Sequence, residues 1–254
     1  MTFSLAAASR SLSQLMPTTS PVTYAILTVC CLLYGVSLLA TIRLSGGLLA
    51  PAGGFSLLGI GGIAGPVLFR LGDSRIDMVL QGQPWRLVTA IFLHGSLLHI
   101  GFNMWVLMDV GPQLEELYGS ARYLFIFIVT GVAGYVLSAL TLHASVGASG
   151  ALLGLIGVML AITTRRSGAA MQMLRSQLIR WLIYIAVVGL MMSGIDNYAH
   201  AGGFAAGFLL GKIMADREPV TVGERKTAQI LGWLTALVTI ASFAAMLFNY
   251  FRLA

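Results

Sequence analysis

Seven long apolar runs limit what this chain can fold into. They cover roughly residues 22–42, 97–117, 121–142, 149–164, 178–194, 197–215 and 227–251. A helix needs about 20 apolar residues to cross the hydrocarbon core of a bilayer. Helices and closed barrels are the only structures that satisfy their own backbone hydrogen bonds there. The pattern predicts an all-α polytopic membrane protein with seven transmembrane helices in one domain.

The composition supports a membrane protein and argues against a nucleic-acid partner. The chain is 57% hydrophobic and 9% charged, and its mean hydropathy is +0.88. No soluble globular domain has this balance. The net charge of +6 is explained by Lys and Arg beside the spans, which set membrane orientation. Ten basic residues fall on the side of the N-terminus and five on the other, which favours a cytoplasmic N-terminus.

The predicted spans divide the chain into three parts. We expect residues 1–21 to be a short cytoplasmic tail and residues 22–215 to be a six-helix core. Residues 216–254 would then be a cytoplasmic linker and the seventh helix. Within the core, residues 43–96 read as a long outside loop that lies partly on or in the membrane interface, because the segment is apolar but broken by many Gly and Pro residues. An ordinary surface loop remains the alternative, although long structureless loops are uncommon.

Ser149 and His200 lie at the same depth in the predicted bundle. Each precedes the end of its span by sixteen residues, counted to Arg165 and to Asp216. That distance is about 24 Å along a helix, so both side chains fall roughly 6 Å below the outer surface of a ~30 Å core. Polar and ionisable groups are costly in hydrocarbon, which makes a functional role the default interpretation.

Glycines at four-residue spacing would let the fourth and sixth spans approach each other closely. They are Gly150 and Gly154 in one span, and Gly203, Gly207 and Gly211 in the other. Small residues at this spacing permit close contact between membrane helices. A Ser hydroxyl acts as a nucleophile when a base lies within about 2.6–3.2 Å. Simple helix packing, with the Ser bonded to a backbone carbonyl, remains the alternative.

His99 and Asn103 form a second polar pair. They are four residues apart, so they share one face of a helix. Both side chains can donate hydrogen bonds, and acyl transfer develops an oxyanion that needs such donors. The backbone N–H of Ser149 would add another donor, because Ser149 opens its helix. A structural clasp between the His and the Asn remains the alternative.

The remaining polar residues do not predict a metal site or a transporter. The four histidines are His94, His99, His143 and His200. We expect His94 and His99 to diverge on a helix and His143 to lie in a loop. The acidic residues include Asp109, Glu115, Glu116 and Asp196, which are expected near helix ends. An aspartyl mechanism needs paired carboxylates at depth, and an inverted repeat that would suggest a transporter is not evident.

Taken together, these residues resemble the rhomboid family of intramembrane serine proteases. The matching runs are Gly82–Arg86, His94 with His99 and Asn103, Glu115–Gly119, Gly147–Gly150, and Ala199–His200 followed by Gly203 and Gly207. They cover about residues 20–215 in the right order and spacing. Each run is weak alone, but the combination is highly specific.

The resemblance implies a role for each catalytic candidate. Ser149 would be the nucleophile and His200 its general base, without a third acid. His99, Asn103 and the N–H of Ser149 would form the oxyanion hole. The resemblance implies neither a metal nor an organic cofactor.

Other positions follow or depart from the family pattern. Trp85 and Arg86 match its first-loop motif at the membrane face, and we expect an aromatic anchor beside a snorkelling cation. Glu115 would steady that loop from below. Leu153 stands where the family often has an aromatic residue that packs on the catalytic His. Residues 227–251 resemble the extra helix of the six-plus-one subtype.

The implied function is cleavage of single-span membrane proteins in or near their transmembrane segments. The expected partners are transmembrane substrates and the lipid bilayer, with no nucleic acid and no metal. The expected location is multi-pass in a bacterial inner membrane. The alternative is a catalytically silent rhomboid-like protein that binds membrane clients. Such proteins typically lack the Ser or the His, and this chain has both.

Overall fold

The computed structural model describes residues 20–45, 61–141, 144–191 and 194–252. The long helices are α1 Pro21–Ser45, α5 Leu97–Tyr118, α6 Ser120–Ser138, α7 Ser149–Thr163, α8 Ala169–Met191, α9 Asn197–Ile213 and α10 Val222–Arg252. The short helices are α2 Gly65–Arg70, α3 Ile76–Leu80 and α4 Arg86–Thr89, and 3₁₀ turns cover Ala90–Phe92 and Ala139–Thr141. Residues 1–19 of the predicted tail, residues 46–60 of the predicted loop, and His143 lie outside the described residues.

The number of helices that could span a membrane is smaller than the predicted seven. In the described part of the chain, α1, α6, α8 and α10 are long and apolar enough to cross a bilayer. A fifth span results if Arg86–Phe92 and α5, which meet at 90°, are counted as one. Helix α7 has 15 residues, a rise of only about 22 Å. The prediction of an all-helical membrane protein is confirmed, with four or five candidate spans.

The predicted outside loop contains regular structure in its second half. Helices α2, α3 and α4 follow one another between residues 65 and 89. Gly72 and Gly82 stand two residues after α2 and α3, with φ of +91° and +90°. Glycine adopts this left-handed backbone at little cost and so ends helices efficiently. The glycines that suggested an irregular loop therefore mark the ends of short helices.

Helix α7 forms the centre of the bundle. Thirteen of its 15 residues are buried, and α5, α6, α8 and α9 pack around it. A helix that is apolar on all sides needs such complete cover. The N-terminus of α7, which begins at Ser149, is therefore enclosed by neighbouring helices.

Glycines bring α7 and α9 into backbone contact, as the sequence predicted. A Cβ atom on Gly203 would overlap the carbonyl oxygen of Gly150, and one on Gly207 would overlap that of Gly154. Helix α6 joins the contact, because a Cβ on Gly134 would lie 2.6 Å from the carbonyl oxygen of Ala199. Any side chain at these positions would push the helices apart.

Helix α10 lies against the outside of α6. Gly232 fits against Ala121, where an added Cβ would lie 2.7 Å from the Ala121 Cβ. The Phe243 ring meets Phe92 edge-on, with ring centroids 5.4 Å apart. The predicted C-terminal helix is thus present and packed on the core. It begins at Val222 rather than at residue 227.

Basic side chains gather at one end of the bundle. Arg122 donates to the carbonyl oxygen of Arg217 at 3.2 Å, and Arg165 donates to that of Lys212 at 3.2 Å. Arg166 forms an ion pair with Asp216 at 2.7 Å. The start of α6 and the ends of α7 and α9 therefore share one end. That this end faces the cytoplasm stays a prediction.

The glycine contact predicts a stability difference between matched substitutions. Gly207→Ala would place a methyl group on the Gly154 carbonyl, so the unfolding free energy should fall by about 1–3 kcal/mol, as in other overpacked cores. Gly35→Ala, also within a helix, meets nothing within 4 Å. It should be neutral or stabilising, since Ala is the better helix former.

Unfolding of both purified variants in detergent, followed by circular dichroism, measures this difference. Equal midpoints for Gly207→Ala and Gly35→Ala would contradict the packing described for α7 and α9.

Candidate active site

Ser149 and His200 meet where α7 and α9 begin. The Ser149 Oγ lies 2.8 Å from the His200 Nε2. Ser149 is the first residue of α7, so its N–H has no acceptor inside the helix. His200 lies in the first turn of α9. The structure brings together the two side chains that the sequence singled out.

An acidic cap fixes the start of α9. Asp196 accepts a hydrogen bond from the Ala199 N–H at 2.9 Å through Oδ1, and its Oδ2 accepts from the Ser138 hydroxyl of α6. The His200 N–H donates to the Asp196 carbonyl at 3.1 Å. Among the described residues, no carboxylate hydrogen-bonds to the His200 imidazole. Asp196 therefore acts on His200 through the backbone, by setting where the helix begins.

Tyr135 holds the segment that leads into Ser149. Its buried hydroxyl donates to the Gly147 carbonyl at 2.8 Å, and the Gly147 N–H donates to the Ala90 carbonyl at 2.9 Å. Gly147 has φ of +129°, a conformation that disfavours residues with a side chain. Tyr135 was not among the residues predicted from the sequence. The hydroxyl of a buried Tyr in an apolar span usually needs a hydrogen-bond partner. That need could have marked Tyr135 as a candidate for a structural role.

The His99 imidazole lies beside Gly147. A Cβ atom on Gly147 would be 2.6 Å from the His99 Nε2, so the ring faces the segment two residues before Ser149. The His99 Nδ1 accepts from the Gly95 N–H at 3.4 Å. A neutral imidazole that accepts at Nδ1 carries its proton on Nε2. On this assignment, Nε2 is a donor directed towards the segment that leads into Ser149.

Asn103 lies one turn along α5 from His99. Its side chain is 3% exposed, and its Nδ2 donates to the His99 carbonyl at 2.8 Å. Its Oδ1 has no hydrogen-bond partner among the described residues. The two residues share a face as predicted, but Asn103 has no direct hydrogen bond to Ser149. Its second N–H is the group that could serve an oxyanion.

The prediction that His94 and His99 diverge on a helix is wrong. Helix α5 begins at Leu97, and Ser96 caps it by accepting from the His99 N–H at 3.2 Å. His94 precedes the sharp bend, which brings the two ring centroids to 5.0 Å. Within the described part of the chain, no group of three His, Cys, Asp or Glu side chains could hold a metal ion.

Arg86 is buried and does not snorkel to the membrane surface. It is 1% exposed and forms an ion pair with Asp73 at 2.9 Å. It also donates to the Phe69 carbonyl at 2.9 Å and to Gln83 at 2.8 Å. Trp85 is also buried, with 8% of its surface exposed. The prediction that these two residues form an interfacial anchor is therefore wrong, because both are enclosed by protein. Burial raises the pKa of Asp73, although Arg86 acts in the opposite direction.

The turn held by Arg86 reaches the segment before Ser149. Ser74, next to Asp73, forms an isolated antiparallel bridge with Ser145. The Ser74 N–H donates to the Ser145 carbonyl at 2.8 Å, and the reverse bond measures 3.1 Å. Ser145 is four residues before Ser149. The first-loop motif therefore supports the site by ordering the approach to α7.

Glu115 caps the first helix instead of supporting the first loop. The buried carboxylate accepts from the Val22 and Thr23 N–H groups at 2.9 and 2.8 Å. It also accepts from the Thr23 hydroxyl at 2.8 Å and the Ser120 hydroxyl at 2.6 Å. A carboxylate at a helix N-terminus is favoured by the helix dipole. Glu115 thus ties α1, α5 and α6 together at one end of the bundle.

Two further positions relate to predictions from the sequence, one of which is corrected. Asp109 lies in the middle of α5 rather than near its end. It accepts from Gln177 at 2.9 Å and from the Trp181 indole at 2.6 Å, both on α8. Leu153, which replaces the family's aromatic residue, is 4% exposed within α7.

Comparison with known proteins identifies the family of this chain. Residues 81–217, just over half of the chain, match the Rhomboid domain family. The chain belongs to the rhomboid family. Its members are typically serine proteases, and the matched range contains Ser149, His200, His99 and Asn103.

Similar proteins carry rhomboid names. The chain is 38% identical over 163 residues to RHOMBOID-like protein 5 of Arabidopsis thaliana, covering 59% of this chain and 50% of the relative. It is 31% identical over 165 residues to Rhomboid protease GluP of Bacillus subtilis (strain 168), covering 65% of this chain and 32% of the relative. It is also 33% identical over 144 residues to the Putative rhomboid protease YdcA of the same organism, covering 55% and 72%. The chain spans half or less of the first two relatives.

The buried ion pair predicts that Arg86 and Arg75 differ in their importance for stability. Arg86→Ala should lower the unfolding free energy by about 3–5 kcal/mol, because it leaves the Asp73 carboxylate buried without a partner. Arg75 forms an exposed pair with Asp77 at 3.6 Å, so Arg75→Ala should change it by less than about 1 kcal/mol.

Denaturant unfolding of each purified variant, monitored by tryptophan fluorescence, gives both values. If the two substitutions had equal effects, Arg86 would not have the structural role assigned to it.

Proposed function

We propose that this rhomboid protein is an intramembrane serine endopeptidase that uses Ser149 and His200 as a catalytic dyad. The observation that carries the proposal is the 2.8 Å contact between the Ser149 Oγ and the His200 Nε2. A nucleophile within hydrogen-bond reach of a base is the arrangement that covalent acyl transfer needs. Its position at a helix N-terminus adds a free backbone donor.

The proposed reaction proceeds in two halves. The Ser149 Oγ attacks the carbonyl carbon of the scissile peptide bond while the His200 Nε2 takes the hydroxyl proton. The imidazolium then gives that proton to the departing amine, which leaves an acyl group on Ser149. In the second half, His200 takes a proton from water while the oxygen of that water attacks the acyl carbonyl. The ester bond to the Ser149 Oγ then breaks, the acyl group leaves as a carboxylic acid, and the Oγ takes the proton back from His200. No metal or organic cofactor is needed for these steps.

The oxyanion formed in each half needs hydrogen-bond donors. The Ser149 N–H and the His99 Nε2 are the proposed donors, and the Asn103 carboxamide is the third. Each preorganised donor of this kind contributes about 10²–10³ in rate. His99 beside Gly147 supports this assignment, and Asn103 would have to use the N–H that is not bonded to the His99 carbonyl.

The position of the dyad favours substrates that unwind. Helix α7 rises about 22 Å from Ser149 to its far end, so the dyad lies below the surface of a ~30 Å hydrocarbon core. A regular substrate helix keeps its carbonyl groups in internal hydrogen bonds. The proposed substrates are single-span proteins with Gly, Pro or polar residues near the cut. The glycine-rich surroundings of Ser149 favour a small residue before the scissile bond.

The second candidate is a rhomboid-like protein that binds membrane clients without cutting them. The name RHOMBOID-like given to a relative that is 38% identical keeps this candidate open. A fluorophosphonate probe separates the two, because it labels only an activated serine. Labelling of Ser149, identified by mass spectrometry, supports the protease, and its absence in folded protein supports the binding protein.

The dyad predicts equal losses from its two members. Ser149→Ala and His200→Ala should each abolish cleavage of a single-span substrate, because residues that act as one unit are not additive. Asn103→Ala should lower the rate by about 10²-fold, as for one oxyanion donor. Ser176→Ala is the matched control, since the hydroxyl of this exposed serine donates to the Gln172 carbonyl of its own helix.

The assay is cleavage of a tagged substrate by purified protein in vesicles. Wild-type turnover by Ser149→Ala would remove the proposed nucleophile. A silent Asn103→Ala would return Asn103 to a packing role.

The proposed orientation places the basic end of the bundle in the cytoplasm. A cysteine at Ser167 should then resist an impermeant thiol reagent added to intact cells, and a cysteine at Asp77 should react with it. Both are measured in a background without Cys30 and Cys31. The reverse labelling pattern would contradict the proposed orientation and would leave the proposed dyad untouched.

A further inference from the structure

A basic cavity lies at the end of the bundle away from the dyad. Its volume is about 280 Å³, and its lining includes Arg165, Arg166 and Arg175. The turn that follows α7 and the first residues of α8 line the cavity. The C-terminal end of α9 is bonded to its wall through Lys212, which donates to the Thr164 hydroxyl. About 22 Å of α7 separate the cavity from Ser149, so the proposed catalysis does not use it.

Positive charge is in excess around this cavity. Three arginines, Arg165, Arg166 and Arg175, lie in the cavity wall, and Lys212 bonds to it. Among the described residues, the carboxylate that contacts these cations is that of Asp216. Helix ends carry about half an elementary charge each. Two C-terminal ends and one N-terminal end together carry about half a negative charge. The four cations and the Asp216 carboxylate sum to three positive charges, so an excess of about two and a half positive charges remains. An anion is the ligand that this field favours.

Hydrogen bonds orient two of the arginines and use only part of their N–H donors. The Nε and Nη2 of Arg175 donate to the hydroxyl and carbonyl of Thr163, which close the C-terminus of α7. The Nε and Nη2 of Arg166 donate to Asp216. A guanidinium has five N–H groups in a rigid fork, and no described residue accepts from the Nη1 of Arg166 or Arg175. Fixed guanidinium groups of this kind match the oxygen atoms of a phosphate.

The helix face that begins at the cavity continues as an apolar surface. Arg175, Ile179 and Ile183 are four residues apart, so they lie in one row along α8. The two isoleucines are 42% and 52% exposed, and α8 is a candidate membrane span. A charged head group at Arg175 would therefore have its acyl chain beside an apolar row. A free phosphate ion would make no use of that row.

We infer that this cavity binds the phosphate head group of an anionic phospholipid, with the acyl chains along α8. The same site joins the far ends of α7 and α9, the helices that carry Ser149 and His200. Bound lipid should therefore hold these two helices together and raise the unfolding temperature of the protein. The inference concerns binding and does not depend on proteolysis.

Native mass spectrometry of the delipidated full chain in detergent tests the inference. The protein is titrated with phosphatidylglycerol or with phosphatidylcholine, which has no net charge. We expect phosphatidylglycerol to bind at least several times more tightly, and rising salt to weaken it. Arg166→Gln should weaken its binding roughly fivefold, because one cation near an anionic lipid contributes about 1 kcal/mol.

Matched variants separate the cavity from general surface charge. Arg122→Gln removes a charge at the same end of the bundle, where Arg122 donates to the Arg217 carbonyl, and should bind as the wild type does. Arg166→Lys should retain most of the affinity. Arg166→Gln leaves the Arg175 cap of α7 intact, and its melting curve without lipid checks that it is folded.

Three results would overturn the inference. They are equal binding of the two lipids by the wild type, equal losses in Arg166→Gln and Arg122→Gln, and displacement of the lipid by inorganic phosphate at matched concentration. The last would mean that the cavity recognises a free anion without acyl chains.

Discussion

The backbone contact between α7 and α9 is the constraint on which the rest of this structure depends. Gly203 lies against the carbonyl of Gly150, and Gly207 lies against that of Gly154. Ser149 precedes the first of these contacts, and His200 precedes the Gly203 contact by three residues. The separation of the two helices therefore sets the 2.8 Å between the Ser149 Oγ and the His200 Nε2. A methyl group at the contact would move the His200 imidazole away from the Ser149 hydroxyl.

Polar groups buried around this contact fix the remaining degrees of freedom. Asp196 determines where α9 begins, and Tyr135 holds the Gly147 carbonyl just before α7. Arg86 and Asp73 hold the turn whose next residue pairs with the segment leading to Ser149. Each of these groups is costly to bury unless its hydrogen bonds are satisfied. Their satisfaction ties the loop motif, α6 and the two central helices into one rigid frame.

The sequence predicted the features that depend on local spacing. Glycines four residues apart indicated the contact between α7 and α9, and counting along the spans placed Ser149 at the depth of His200. It did not predict features that depend on partners distant in the chain. Arg86 read as a surface cation because Asp73, thirteen residues earlier, gave no sign of pairing with it. The bend before α5 was not indicated by the sequence either, so His94 was expected to diverge from His99.

The most direct test of the central claim is the rate at which a fluorophosphonate labels Ser149 when the helix contact is widened. Gly203→Ala adds a methyl group that overlaps the Gly150 carbonyl, whereas Gly35→Ala meets nothing within 4 Å. The account predicts wild-type labelling of Gly35→Ala and at least a tenfold slower reaction of Gly203→Ala, with circular dichroism showing that both remain helical. A separation of about 1 Å is enough to cost 10²-fold in a positioned reaction. Labelling of Gly203→Ala at the wild-type rate would contradict the claim that this contact sets the dyad.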